Sequence, residues 1–192
     1  MQKLSILLFI AFLTGAFWAC QSNDYTSMRA RELNSGVRHD QLFMGFYLGQ
    51  SRDSFYRQCL EMNKKGIITN GPENSSVLFT FPDQYKFPMD MNFYPEFNND
   101  RISKMNILFS YQSWAPWNKK CFSDKVLPDA MDVLQKWFGS GFVDGKSEKI
   151  KSFKALVNGN REIIVYLQNE KNVRVEINDL TAPLPTPQAP QN

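Results

Sequence analysis

The sequence predicts an α+β fold, an antiparallel β-sheet with two main helices on one face. Three observations carry this. Residues 52–65 and 128–138 hold apolar side chains at helical spacing. Each stretch is followed by short segments in which apolar residues alternate with polar ones. Asn158-Gly159, between two such segments, is a strong hairpin signal. Helix, glycine break and three strands therefore occur twice, which suggests a pseudo-repeat, although the halves share few residues.

Phe43 to Gln50 is a short apolar lead-in, read as a strand. Ser51 follows as an N-cap whose hydroxyl can accept a free amide of the first turn, and Asp53 suits the positive helix end. Phe55, Cys59 and Met62 then fall at i, i+4 and i+7, with Tyr56 and Leu60 widening the stripe. Lys64 and Lys65 suit the negative end, and Gly66 is a natural terminator. Strands are expected at Ser76–Phe81, around Met89, Met91 and Phe93, and at Met105, Ile107, Phe109 and Tyr111 after the turn Asn98-Asn99-Asp100. The second helix is expected to start at Pro128, a favoured first-turn residue, and to present Ala130, Val133, Leu134, Trp137 and Phe138. Gly139 and Gly141 stop it. Phe153, Ala155 and Val157, then Ile163, Val165 and Leu167, then Val173, Val175 and Ile177 close the second meander.

The ends of the chain carry a different message. Lys3 precedes an apolar run from Leu4 to Trp18, then Ala19 and Cys20. A basic start, an apolar run of about 15 residues and a small residue before the cut describe a secretory signal over 1–19. The run is shorter than the roughly 20 residues of a spanning helix. A cysteine directly after the cut resembles the lipobox of bacterial lipoproteins, where that thiol is acylated; Cys20 is the expected lipidation site. Gln21 in place of Asp favours the outer membrane by the sorting rule that goes with that resemblance, and the leaflet stays open. Residues 20–40 lack a sustained apolar period and read as a tether. Residues 41–180 form one domain, and 181–192, with Pro183, Pro185, Pro187 and Pro190, read as an extended, solvated tail. The formal charge of +3 is too small to imply nucleic acid.

Catalytic constellations are missing. His39 is the single histidine and lies in the expected tether, so no Ser-His or Cys-His pair stands on a rigid scaffold. No spacing suits zinc or a phosphate loop, and no cofactor or metal is expected. Asp129 and Asp132 share a helix face but read as a solvated first turn. The chain is expected not to be an enzyme. Two cysteines, Cys59 and Cys121, remain after the acylated one. An exported compartment permits a bridge between them, closing a loop of roughly 60 residues; two buried thiols are the alternative. Sixteen Phe, 4 Trp and 7 Tyr are a heavy aromatic content for 192 residues. Two indoles flank a proline between Tyr111 and the pair Lys119, Lys120. Trp114 and Trp117 there are either a stacking platform for a glycan or peptide, with Tyr111, Lys119 and Lys120 beside them, or lids over the sheet. Of the two, Trp117 is expected outside and Trp114 inside. Lys146, Lys149, Lys151 and Lys154 read as anionic-headgroup contacts or a solvated loop.

The string Leu48-Gly49-Gln50-Ser51-Arg52-Asp53-Ser54-Phe55 resembles the helix start of BamE-like (SmpA) envelope lipoproteins and of β-lactamase-inhibitor-type domains. Gly45-Phe46-Tyr47-Leu48-Gly49, Met91-Asn92-Phe93-Tyr94-Pro95 and Trp114-Ala115-Pro116-Trp117-Asn118-Lys119 look like envelope lipoproteins of Bacteroidota type. The resemblance implies a lipid-anchored envelope protein and transfers no site residues. Two functions follow as expectations: a non-enzymatic scaffold or assembly module that binds a protein partner, or a glycan or small-ligand binder using the Trp114/Trp117 loop.

Overall fold

Alternation along a strand sends successive side chains to opposite faces, and here the odd-numbered residues of the central strands are the apolar ones. A computed structural model describes residues 24–82 and 84–183. Its elements are α1 (Tyr25–Asn34), α2 (Arg52–Lys64), β1 (Thr69–Asn70), β2 (Val77–Thr80), β3 (Met89–Asn98), β4 (Arg101–Tyr111), α3 (Ser123–Phe138), β5 (Val143–Gly145), β6 (Phe153–Asn158), β7 (Arg161–Leu167) and β8 (Val173–Asp179). The strands form one antiparallel sheet in the order β1-β2-β3-β4-β8-β7-β6-β5. The α+β class with an antiparallel sheet is thus observed. Each meander has four strands where three were expected. The fourth is in each case a two- or three-residue edge strand right after the glycine break, too short to show an alternation.

The two meanders meet at β4 and β8, where Met105 faces Ile177, Ile107 faces Val175 and Phe109 faces Val173. On the other flank of β4, Phe93 pairs with Ile107 and Met91 with Phe109. These side chains are essentially inaccessible, with Phe46, Phe55, Leu134 and Ile163 in the same core. Full burial of one such side chain stabilises by about 1.5–3 kcal/mol relative to exposure. α3 packs on β4, β7 and β8 through Val126, Ala130, Val133 and Leu134, and Trp137 stacks on Phe43 with ring centroids 4.9 Å apart.

Three local expectations are corrected, and the alternative left open for the cysteine pair is decided. The segment 43–50 is no strand. Met44 and Gly45 have positive φ, which turns the chain so that Phe43, Phe46 and Leu48 plug the core. Its backbone groups pair in turns instead of a ladder, the Phe46 amide donating to the Phe43 carbonyl and the Leu42 amide to the Phe46 carbonyl, both at 2.9 Å, while Gln50 donates to Gln58 at 2.9 Å and Gln58 to the Met44 carbonyl at 2.8 Å. α3 starts at Ser123, not Pro128, which lies inside it. Its first turn is held by tertiary bonds, since the Ser123 amide and hydroxyl donate to the carbonyls of Glu170 and Asn169 at 2.8 and 2.6 Å. Cys59 and Cys121 are free. Cys59 is half-buried on α2, where desolvation pushes its thiol up to about 11; Cys121 is fully buried and accepts from Asn118 at 3.3 Å.

The third correction is the expected tether. Its described part, from Asp24, is α1 followed by a docked strap. Asp24 caps the helix through the Ser27 amide at 2.8 Å. Met28 joins Phe153, Ala155 and Val157 in a second core. Because Leu156 belongs to the main core, α1 lies on the opposite face of the sheet. Few apolar residues dock it, so polar contacts share the task. Tyr25 and Arg29, one helical turn apart, donate to Glu162 at 2.6 and 3.0 Å, and Asn178 donates to its other oxygen at 3.1 Å. A buried carboxylate needs such partners. Past the helix, the strap crosses the β6–β7 turn. A Cβ on Gly159 would lie 2.1 Å from the Val37 carbonyl oxygen, so only glycine fits there. Asn160 accepts from the His39 amide at 2.6 Å and donates to Asp40 and Asp179. Residues 1–23, including the expected signal and Cys20, and 184–192, most of the expected tail, lie outside the described residues.

Burial raises the proton affinity of Asp179, but hydrogen bonds from Thr181 and Asn160 and the charge of Arg38 leave it below the ordinary carboxylate value. A carboxylate lowered on folding adds stability above its unfolded pKa of about 4 and loses it as pH falls through the folded value. Asp179→Asn is therefore expected to destabilise the protein at neutral pH, with the gap to the parent closing below about pH 4. Urea unfolding at several pH values checks this; a gap independent of pH contradicts it.

Candidate functional site

The face of the sheet opposite the main core is unevenly covered. α1 packs on β5 and β6. No described helix packs on the same face of β2, β3, β4 and β8, where the even-numbered residues emerge. Only at its rim does α2 approach, as the Tyr56 and Tyr94 hydroxyls meet at 2.6 Å. The bare half carries a polar mosaic. Thr80 and Gln112 donate to Asp90 at 2.7 and 2.8 Å. Asn106 donates to Glu96 at 2.8 Å. Lys104 lies 2.8 Å from Glu176 and 3.6 Å from Glu96. Glu176, despite burial, is held below the usual carboxylate range by Lys104, by the Tyr166 hydroxyl and by Arg174.

Within this half lies a trough of about 280 Å³. Its floor is Asn92, Asn106, Leu108 and Ser110; one wall is the loop at 72–76, the other Lys171, Asn172 and Arg174. The loop is strained: Glu73 and Asn74, both non-glycine, have φ of +55°. Such backbone is costly and concentrates at functional sites. Gly71 lets the loop press on the sheet, since a Cβ there would come 2.1 Å from the Ser76 hydroxyl and 2.8 Å from Asn92 Oδ1.

The residues singled out from the sequence divide. Tyr111 is no ligand residue: it is buried beneath α3, its hydroxyl donating to Asp129 at 2.5 Å and lying 3.1 Å from the Lys125 carbonyl. Trp114 is half-buried against the main core, with its indole Nε1 enclosed and without an acceptor. Trp117 is 85% exposed. The order of exposure expected for the two indoles is the one observed, and they form no paired platform. Lys119 and Lys120 lie in an exposed 3₁₀ turn. Lys171 links this loop to the trough, as its Nζ stands 5.7 Å over the Trp114 ring. The basic stretch is interleaved with acids: Lys154 pairs with Asp144 at 2.8 Å, and Lys146 and Lys151 share a cavity of about 500 Å³ with Asp24 and Asp144. Asp132 accepts from Lys136 at 2.7 Å, so neither acid of the α3 pair is uncommitted.

Sequence reasoning missed Asn92, Asn106, Leu108, Lys171 and Arg174. As the outward half of an alternating pattern they look like ordinary solvent-facing residues. Leu108 and Tyr94, apolar on a polar face, were the only available signal. Among the described residues, no group of three or more His, Cys, Asp or Glu gathers to hold a metal, and no helix is long and apolar enough to cross a membrane. No family model, curated protein or solved structure matches the chain.

The two indoles differ in what truncation removes. Trp114→Ala is expected to lower stability by about 3 kcal/mol, the low end for a buried tryptophan. Trp117→Ala is expected to change it by about 0.5 kcal/mol or less. Denaturant unfolding reads both; equal losses would contradict these assignments.

Proposed function

We propose that this chain is an envelope lipoprotein, processed after residue 19 and acylated on Cys20, whose domain is a non-enzymatic docking module for a protein partner. The observation that carries the docking reading is the bare half-face. A sheet whose central strands bury one face and whose other face is covered only in part has a surface left over, and here it combines a trough and a strained rim. Tryptophan is the residue most enriched at binding hot spots, and Trp117 spends 85% of its surface on solvent. α1 begins at Tyr25, so from Cys20 to its cap Asp24 an extended chain spans only about 14 Å. The domain then rides close to the bilayer, not at the end of a twenty-residue tether. Outer-membrane residence follows from Gln21.

The finer architecture belongs to the same reading. α2 and α3 share one face of the sheet, and α2 with β1–β4 and α3 with β5–β8 are two copies of one helix-plus-four-strand unit. The support is the strand order, which reads outward from the β4–β8 seam in the same sequence on both sides. A second reading, a glycan binder, is favoured by the single observation that Trp117 is exposed beside Lys119 and Lys120.

Photocrosslinking in intact envelopes separates the readings. A photoreactive residue at Leu108, Thr80 or Trp117 is expected to give discrete protein adducts, while one at Gln135 on α3 gives none. Adducts at Gln135 equal to those at Leu108, or none anywhere together with binding on a glycan array, would overturn the docking reading. Cys20→Ala is expected to release the domain or stall its processing; one acyl chain alone binds membranes with a constant of only about 10⁴ M⁻¹, and lipoprotein anchors carry more. Normal cleavage with an unchanged membrane fraction would contradict the anchor.

A further inference from the structure

We propose that the trough is a carboxylate-binding subsite, in which Arg174 and Lys171 receive an acidic side chain from the protein partner. This rests on the docking reading and adds the chemistry of the contact. Two cations line the trough and no carboxylate does; Glu73 and Glu170, neighbours in sequence to lining residues, point no group into its lining. Arg174 is under-used. Its Nη2 donates to Asn106 Oδ1 at 2.6 Å, but its Nε is buried without an acceptor. Its ion-pair partner Glu176 lies 3.7 Å from that Nε, too far for a hydrogen bond, and is shared with Lys104 at 2.8 Å and Tyr166 at 2.9 Å. A planar guanidinium with open donors in a partly dehydrated recess is the side chain best suited to a carboxylate.

Lys171 supplies the second charge. It makes no ion pair among the described residues and rests over the Trp114 ring, which fixes it at the mouth without neutralising it. Around the charges, the Asn92, Asn106 and Ser110 side chains offer neutral hydrogen-bonding groups, and Leu108 offers an apolar floor for the methylenes of a Glu. A volume of about 280 Å³ falls below the usual span of small-molecule pockets, about 300–1,000 Å³, and suits one or two side chains. The larger cavity beside α1 does not compete, because Asp24 and Asp144 on its rim offset Lys146 and Lys151.

The test is an NMR titration of the ¹⁵N-labelled full chain in detergent micelles. The probes are the peptide acetyl-Gly-Glu-Glu-Gly-amide, its Gln-Gln counterpart and inorganic phosphate. The Glu peptide is expected to shift the Arg174 Nε–H and Trp114 indole resonances saturably, more weakly as salt rises. Arg174→Gln should weaken binding about ten-fold and Lys171→Gln about three-fold. Lys65→Gln, at the C-terminal end of α2 and outside the trough lining, should leave it unchanged. Should Arg174→Gln unfold the domain, Lys171→Gln and the salt dependence still decide. No saturable shift, equal binding of the Gln peptide, or phosphate binding as tightly as the Glu peptide would overturn the proposal. If crosslinks persist at Leu108 while the peptide fails, the acid-binding inference falls and the docking reading stands; loss of both removes both.

Discussion

The pairing of β4 with β8 is the constraint on which the rest of the structure depends. Six residue pairs, from Lys104–Asn178 to Phe109–Val173, fuse two meanders into one sheet and put Met105, Ile107, Phe109, Val173, Val175 and Ile177 on a single face. A slip of one residue at this seam would turn Val173, Val175 and Ile177 to the face opposite Met105, Ile107 and Phe109. α3 would then meet Arg174 and Glu176 beside Ile107 and Phe109. With the register as it is, those polar residues are forced outward at the centre of an eight-stranded sheet, where edge effects cannot hide them.

What happens to that outward face is decided by α1. The helix buries only Met28 fully and is held by the Glu162 cluster and by the strap over the β6–β7 turn. It seals Phe153, Ala155 and Val157, the apolar portion of the face, and stops where the face becomes polar. Phe153, Ala155 and Val157 lie under α1, and beyond it amides, acids and cations surround Leu78, Leu108 and Tyr94. A bare polar half-face is stable in water as it stands. No described helix packs over it, and the Lys171–Trp114 contact lies at the mouth of its trough.

Much of this architecture is legible in the sequence because it follows from local periodicity. α2 runs as expected from its Ser51 cap to the left-handed Gly66; here the Ile67 amide reaches back to the Met62 carbonyl at 3.0 Å. The alternation of β3, β4 and β6–β8 is equally plain. The failures are all tertiary. α3 begins before Pro128 because carbonyls of the β7–β8 turn bind Ser123. The segment 43–50 folds on Gln50 and Gln58. α1 has no apolar stripe, and its partner Glu162 is more than 130 residues away. The candidate site is harder still, since Arg174 becomes unusual only when Glu176 is drawn to Lys104 and Tyr166. Neither fact has a local signature.

Residue-resolved hydroxyl-radical footprinting of the full chain tests most directly the claim that the second face of the sheet is half covered and half bare. Leu108, Leu78 and Tyr94, half-buried, should be oxidised faster than the main core, while Met28, Phe153 and Ala155 should be protected as strongly as the main core. Removing residues 25–34 should expose Phe153 and leave the rate at Leu108 unchanged. Protection of Leu108 to the level of Phe109, or oxidation of Met28 at the rate of an exposed methionine in the intact chain, would contradict it.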